Sequence, residues 1–291
     1  MNFFKTPPER MSKEKYLQFH APSEQKETIE NLLNSAINII PLITKQNRST
    51  LASPKIRIII DDKPYAEGQT FAIAISSGMI MHCINIAPPP VESTIPSLHQ
   101  KPIDKKLCSE TMLKWVVAHE WMHSIRMHNE VITELGNTSK IRRALEWDAD
   151  LCAAAIIHRQ IQNTYSGIMS DIEVRQLTLH SIYWSLRDLN FYKGDEDHDS
   201  FSTRLYDIII KINTLNESPF ITPKTDETRI MPLISTISLC EEFYLENRNH
   251  DDDQIDFRDE IMRLGFSGGS KACETWDEIR SVVGRISSTL A

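Results

Sequence analysis

The stretch Ala118-His119-Glu120-Trp121-Met122-His123 decides how the chain is read. Inside a helical pattern its two histidines, four residues apart, project from one face one turn apart. That spacing sets two imidazole nitrogens about 2.0 to 2.1 Å from one zinc ion. Glu120 follows about 100° round the helix from His119, placed to accept a proton from a water without being a ligand itself. Two donors do not complete a site, so a third must come from elsewhere in the chain.

The next histidine, His128, does not fit that need. The metzincin pattern calls for a histidine six residues beyond the second one, with a glycine between them. Here the next histidine comes five residues on, and Arg126 occupies the glycine position. On a continuous helix it points about 140° away from His123, as a structural or supporting residue would. A better candidate lies one helix later, in Ala144-Leu145-Glu146-Trp147-Asp148-Ala149-Asp150, where Glu146 and Asp150 share a face. A helix hairpin turning near Gly136-Asn137-Thr138 would bring that face onto the histidines. Glu146 then supplies the third ligand, and Asp150 accepts the second ring N–H of a ligand histidine. Asp148 points elsewhere and reads as a surface acid.

Outward from these two segments, the pattern is helical from Ser109 almost to the end. One helix runs to Leu135 and stops at Gly136, a second spans about Lys140 to Gln162, and a third runs from Asp171 to Asn190 behind a Ser170/Glu173 capping box. Shorter helices are predicted over 201–214, 228–246, 255–263 and 274–288. Upstream, Ser23 can cap a helix carrying Ile29, Leu32, Leu33, Ala36 and Ile40 and ending at Pro41. Three β-branched runs follow, Lys55 to Ile60, Thr70 to Ile75 and Met79 to Ile86, with Ser76-Ser77-Gly78 as a hairpin connection, and then a proline-rich loop reaches about Lys106. The order predicts an α+β fold: a small N-terminal β-sheet packed on the helix of His119 and His123, then a mostly helical C-terminal part. Residues 1–22 read as a loose segment and 23–291 as one domain, with helix and sheet over 23–106, the site helices over 107–215 and a helical extension over 216–291.

The 291 residues are 41% hydrophobic and 25% charged, the balance of a folded globular chain. A net charge of −8 argues against a broad basic face for nucleic acid. The start, MNFFKTPPERMSKEK, lacks the apolar core of an export signal, and the most apolar later runs, such as Leu205 to Ile210 or Met231 to Leu239, are too short for a bilayer of about 30 Å. Cys83, Cys108, Cys152, Cys240 and Cys273 form no C-x-x-C pair and read as buried thiols in a reducing, cytoplasmic compartment. Asp251-Asp252-Asp253 reads as a solvated loop, with a calcium site the weaker reading. Trp115, Trp121, Trp147 and Trp184 read as packing residues, and His158 and His180 as hydrogen-bonded helix histidines. His82 and Cys83, adjacent in a strand, would face opposite sides.

Taken together, H-E-x-x-H at 119–123 and Glu146-Trp147-Asp148-Ala149-Asp150 resemble the gluzincin metallopeptidases. The likeness is closest to the minimal gluzincins that include the HtpX and CAAX-processing proteases. Those families carry H-P-x-x-x-x-R downstream, and His198-Asp199-Ser200-Phe201-Ser202-Thr203-Arg204 keeps the histidine and arginine at that separation with Asp in place of Pro. The resemblance implies Zn2+ held by His119, His123 and Glu146, Glu120 as catalytic base, His198 as a donor to the oxyanion and Arg204 as organiser of the site. Without the transmembrane helices of those families, the chain is more similar to the Lit phage-exclusion proteases, intracellular bacterial enzymes that cut a translation elongation factor. The likeness implies a zinc-dependent endopeptidase acting on an intracellular protein, a translation factor among the candidates, in phage defence or stress response, with an activating partner or peptide. Two alternatives stand beside it. One is a stress- or infection-responsive regulator that cleaves a repressor, a family usually carrying Asn where Asp150 stands. The other is a non-catalytic, zinc-stabilised interaction protein, which would not need Glu120. Substrate is expected to pair along an edge strand within Thr70 to Ile86.

Overall fold

The computed structural model describes residues 9–47, 49–69, 71–187, 198–215, 227–247, 257–267 and 270–290. Strands β1 (Arg10–Ser12), β2 (Lys55–Ile59), β3 (Ala66–Gln69) and β4 (Ala72–Ser76) form one sheet of order β1-β2-β4-β3. β2 and β4 are parallel at its centre, Lys55 opposite Ala72 and Ile59 opposite Ser76, and β1 and β3 flank them antiparallel. Consecutive residues Ile58 and Ile59, and likewise Ile73, Ala74 and Ile75, are buried, so both faces of the central pair are covered.

Helices α1 (Lys13–Phe19), α2 (Lys26–Ile37) and α3 (Ile40–Gln46) precede β2, and α4 (Ser77–Asn85) follows β4 directly. After the short α5 (Val91–Thr94) come α6 (Leu107–Ile125), α7 (His128–Leu135), α8 (Ser139–Tyr165), α9 (Asp171–Arg187), α10 (Phe201–Thr214), α11 (Glu227–Asn247), α12 (Phe257–Ser267) and α13 (Lys271–Ser287). The centre is α6, against which α2, α3, α4, β3, α8 and α9 all pack. Its sequence is apolar nearly all round, with Leu113, Trp115, Val117, Trp121 and Met122 buried, as an enclosed helix requires. One cluster of buried residues runs from Met11 to Ile261, and a smaller one joins α7, α8 and α13 through Val131, Leu145 and Val283.

The α+β architecture agrees with the sequence reading, and five details differ. Residues 10–19 are not loose: Met11 and Tyr16 are buried, and the Ser12 hydroxyl caps α1 by accepting from the Lys15 N–H at 3.3 Å. Gln25, not Ser23, precedes α2, and Pro41 does not end a helix but lies in the first turn of α3, where its missing N–H costs nothing. The stretch 79–86 is helix rather than strand. Ser76 Oγ accepts from the Met79 N–H at 2.9 Å and the Tyr65 N–H at 3.0 Å, so the strand turns into a capped helix instead of a hairpin. A Cβ at Gly78 would meet Asp62 O at 2.3 Å, which is why this start carries glycine. The loop to Lys106 contains α5 and a turn of 3-10 helix over Pro96–Leu98. Finally, the helix expected to reach Leu135 breaks at Met127, whose φ of 53° and ψ of 45° are left-handed.

Candidate metal centre

His119 and His123 leave α6 on the same face, and their Nε2 atoms lie 3.1 Å apart. From α8, Glu146 brings Oε2 to 3.0 Å from His119 Nε2 and Oε1 to 3.4 Å from His123 Nε2. These three residues are the group of metal-ligating side chains found among the described residues. Bonds of about 2.0 to 2.1 Å to a tetrahedral ion set donor atoms roughly 3.3 Å apart, close to what is found here. The chemistry of the donors points the same way. With both Nδ1 atoms engaged elsewhere, the two Nε2 atoms and a carboxylate oxygen converge on one small space, which a bound cation would fill.

Behind His119, Nδ1 is 3.0 Å from Asp150 Oδ1, and Arg204 of α10 grips Asp150 with Nε at 2.7 Å from Oδ2 and a second nitrogen at 2.9 Å from Oδ1. All three are buried. Burial opposes a charge on His119, but hydrogen bonds to Asp150 and Glu146, with their negative charges, outweigh it and push its pKa up to about 10. Burial likewise acts against ionisation of Asp150 and Glu146. The Arg204 charge holds Asp150 down, and the histidines around Glu146 hold it well below the carboxylate range. The cluster as a whole favours positive charge at its centre.

Behind His123, the structure departs from the sequence reading. Because Met127 turns the chain, His128 does not point away: its Nδ1 lies 2.8 Å from His123 Nδ1. Asp148 is not a surface acid, being only 5% exposed, with Oδ2 3.5 Å from His128 Nε2 and 3.3 Å from Arg126 Nε. Burial pushes His128 down to about 4, so it is neutral near pH 7.

His198 stands at the mouth of the centre with Nε2 3.3 Å from Glu146 Oε2. Two residues on, Ser200 caps α10 by accepting from the Thr203 N–H at 3.4 Å, so the chain enters that helix without a proline and sets Arg204 one turn in. Trp147, half-buried, ties α8 to α10 by donating to Asp207 at 2.9 Å.

Glu120 is half-buried on the wall of a cavity of about 560 Å³ that it shares with His119, His123, Glu146 and His198, beside Trp115 and Phe71. Over it runs β3, the sheet edge. A Cβ on Gly68 would lie 2.7 Å from Glu120 O and 3.1 Å from its Oε2, so only glycine permits this approach. The expected edge strand within 70–86 is therefore replaced by Ala66–Gln69, a short polar strand without the β-branched residues that signal one.

Other expected features resolve more simply. Trp115, Trp121 and Trp184 are buried packing residues. His158 Nδ1 lies 3.2 Å from Thr178 Oγ1, and His180 Nδ1 lies 2.8 Å from Thr94 Oγ1. His82 and Cys83 sit on α4. Cys83, Cys108 and Cys240 are buried free thiols, while Cys152 and Cys273 are half-exposed. Asp251 to Asp253 fall outside the described residues. No helix among the described residues is long and apolar enough to cross a membrane. Compared with family models, curated proteins and solved structures, the chain matches none.

Proposed function

We propose that the protein is a zinc-dependent endopeptidase of the minimal gluzincin kind, acting on an intracellular protein substrate in phage defence or stress response. The observation that carries this reading is Glu120: it stands beside the His119, His123 and Glu146 donors, on an open cavity and under a sheet edge, without belonging to the donor set. A site that merely clamped two helices would have no use for a free carboxylate there. Two imidazoles and one carboxylate suit zinc, which when bound supplies a Lewis acid that acidifies water and polarises a carbonyl.

The chain's own residues then divide the work. The substrate backbone pairs along β3, which orients the scissile bond across the cavity mouth with little side-chain demand. Glu120 accepts the proton of the attacking water and returns it to the leaving amine. His198 donates to the oxygen that gains negative charge as the carbonyl becomes tetrahedral. Asp150, held by Arg204, keeps the His119 proton on Nδ1 and its Nε2 lone pair free.

The test is a comparison of protein N-termini in bacterial cells expressing the wild type or Glu120→Gln, with and without phage infection. New termini that depend on Glu120 identify the substrate class. Identical sets in every condition, with both proteins expressed and folded, would reject the peptidase reading.

A further inference from the structure

We infer that His128 and Asp148 are positioning residues that fix the ring and tautomer of His123, doing through an interposed imidazole what Asp150 does directly for His119. The inference rests on the metal-centre reading and extends it to residues outside the ligand set.

The argument starts from the backbone. Met127 is a non-glycine residue in the left-handed region, a conformation that persists only when its surroundings enforce it. Its effect is to end α6 and swing His128 back, so that two Nδ1 atoms meet at 2.8 Å. At that distance one must donate and the other accept. His123 Nε2 faces His119 Nε2 and Glu146, so its lone pair belongs there and its proton on Nδ1. His128 Nδ1 is therefore the acceptor, and the His128 proton sits on Nε2, turned toward the Asp148 carboxylate at 3.5 Å, an electrostatic contact rather than a hydrogen bond.

Asp148 closes the chain. Arg126 Nε lies 3.3 Å from its Oδ2, and the Cys152 thiol donates to its Oδ1 at 3.7 Å. His128 is 2% exposed and Asp148 5%. Burying an imidazole and a carboxylate is costly, and an apolar pair would fill the same space more cheaply. What an apolar pair could not do is accept the His123 N–H. One helix thus serves the centre three times, with Glu146 as donor, Asp150 behind one histidine and Asp148 behind the other.

The experiment measures zinc affinity by competition with a chromophoric chelator, and the visible spectrum of the cobalt-loaded protein, on the full chain. His128→Leu should weaken zinc about 10- to 100-fold and shift the cobalt bands, with circular dichroism unchanged. His128→Gln, whose amide oxygen can accept the same N–H, should recover affinity to within about threefold of wild type. Asp148→Ala should weaken zinc about tenfold, and it carries the test if His128→Leu does not fold. Unchanged affinity and spectrum in the folded variants, or failure of a folded His128→Gln to recover them, would assign both residues to packing and overturn the inference. A wild type that binds neither metal would reject the metal-centre reading itself and the relay with it.

Discussion

Two sets of buried histidines in the helical core behave in opposite ways. His119, on α6, meets Glu146 and Asp150 across the interface with α8, and its pKa rises to about 10 despite burial. His158 on α8 and His180 on α9 meet hydroxyls, Thr178 and Thr94, and burial pushes them down to about 3 and about 4. Depth is common to both sets. The difference is that one helix delivers carboxylates to another, which turns a neutral packing residue into half of a cation site. His128 lies between the two sets: one acid, Asp148, stands beside it, and burial still takes it down to about 4.

The comparison is tested most severely at Glu146. Glu146→Ala removes the third donor and should empty the site of zinc and abolish cleavage, read by metal analysis of the purified protein. Full metal content would mean that the two histidines do not need the acid from α8. Next in size is Glu120→Gln, which should keep the metal and lower cleavage by about 10² to 10⁴-fold, since it deletes a proton acceptor and no ligand. Wild-type turnover in that variant would remove the base from the scheme. His198→Ala should lower kcat by about 10² to 10³-fold with KM within a few-fold, the pattern of a contact made mainly in the transition state. Equal loss of zinc would instead make His198 part of the donor set.

The smallest effect belongs to the other set. His158 and His180 have folded-state pKa values below the ordinary 6.5, so the stability they contribute is complete above about pH 6.5 and is lost as pH falls toward 4 and 3. Urea unfolding of the wild type should therefore lose roughly 2 kcal/mol from each between pH 7 and pH 5. His180→Phe should cost about 1 kcal/mol at pH 7 for the lost Thr94 bond, leave zinc content unchanged and flatten the acid limb. Parallel pH curves for the two proteins would show that His180 is not held neutral.

The candidate metal-binding group and the acid behind it were legible in the sequence because they come in local pairs: His119 with His123, and Glu146 with Asp150, each pair four apart on a helix. His198 and Arg204 came within reach only through family likeness, since nothing in their own periodicity joins them to α6. Asp148 and His128 were misread for one reason. Apolar spacing runs on through the break at Met127, so the chain looks like one helix, and on one helix His128 points away. A left-handed methionine leaves no mark in composition. The sheet suffered from the opposite problem: Met79 to Ile86 is β-branched enough to suggest a strand, whereas Ala66–Gln69 is too polar and too short to suggest one.

A saturation scan across β3 would find tolerance changing abruptly from one residue to the next. Glu67, whose side chain reaches Arg10, should accept many replacements at little cost. Gly68 should accept none, because even alanine sets an atom 2.7 Å from the Glu120 carbonyl, and α6 cannot yield without disturbing the core around it. The spacing between strand and carboxylate is encoded by an absent atom. Such a position offers evolution no intermediate: side chains elsewhere in the strand can drift, while this one is frozen until the central helix itself is rebuilt.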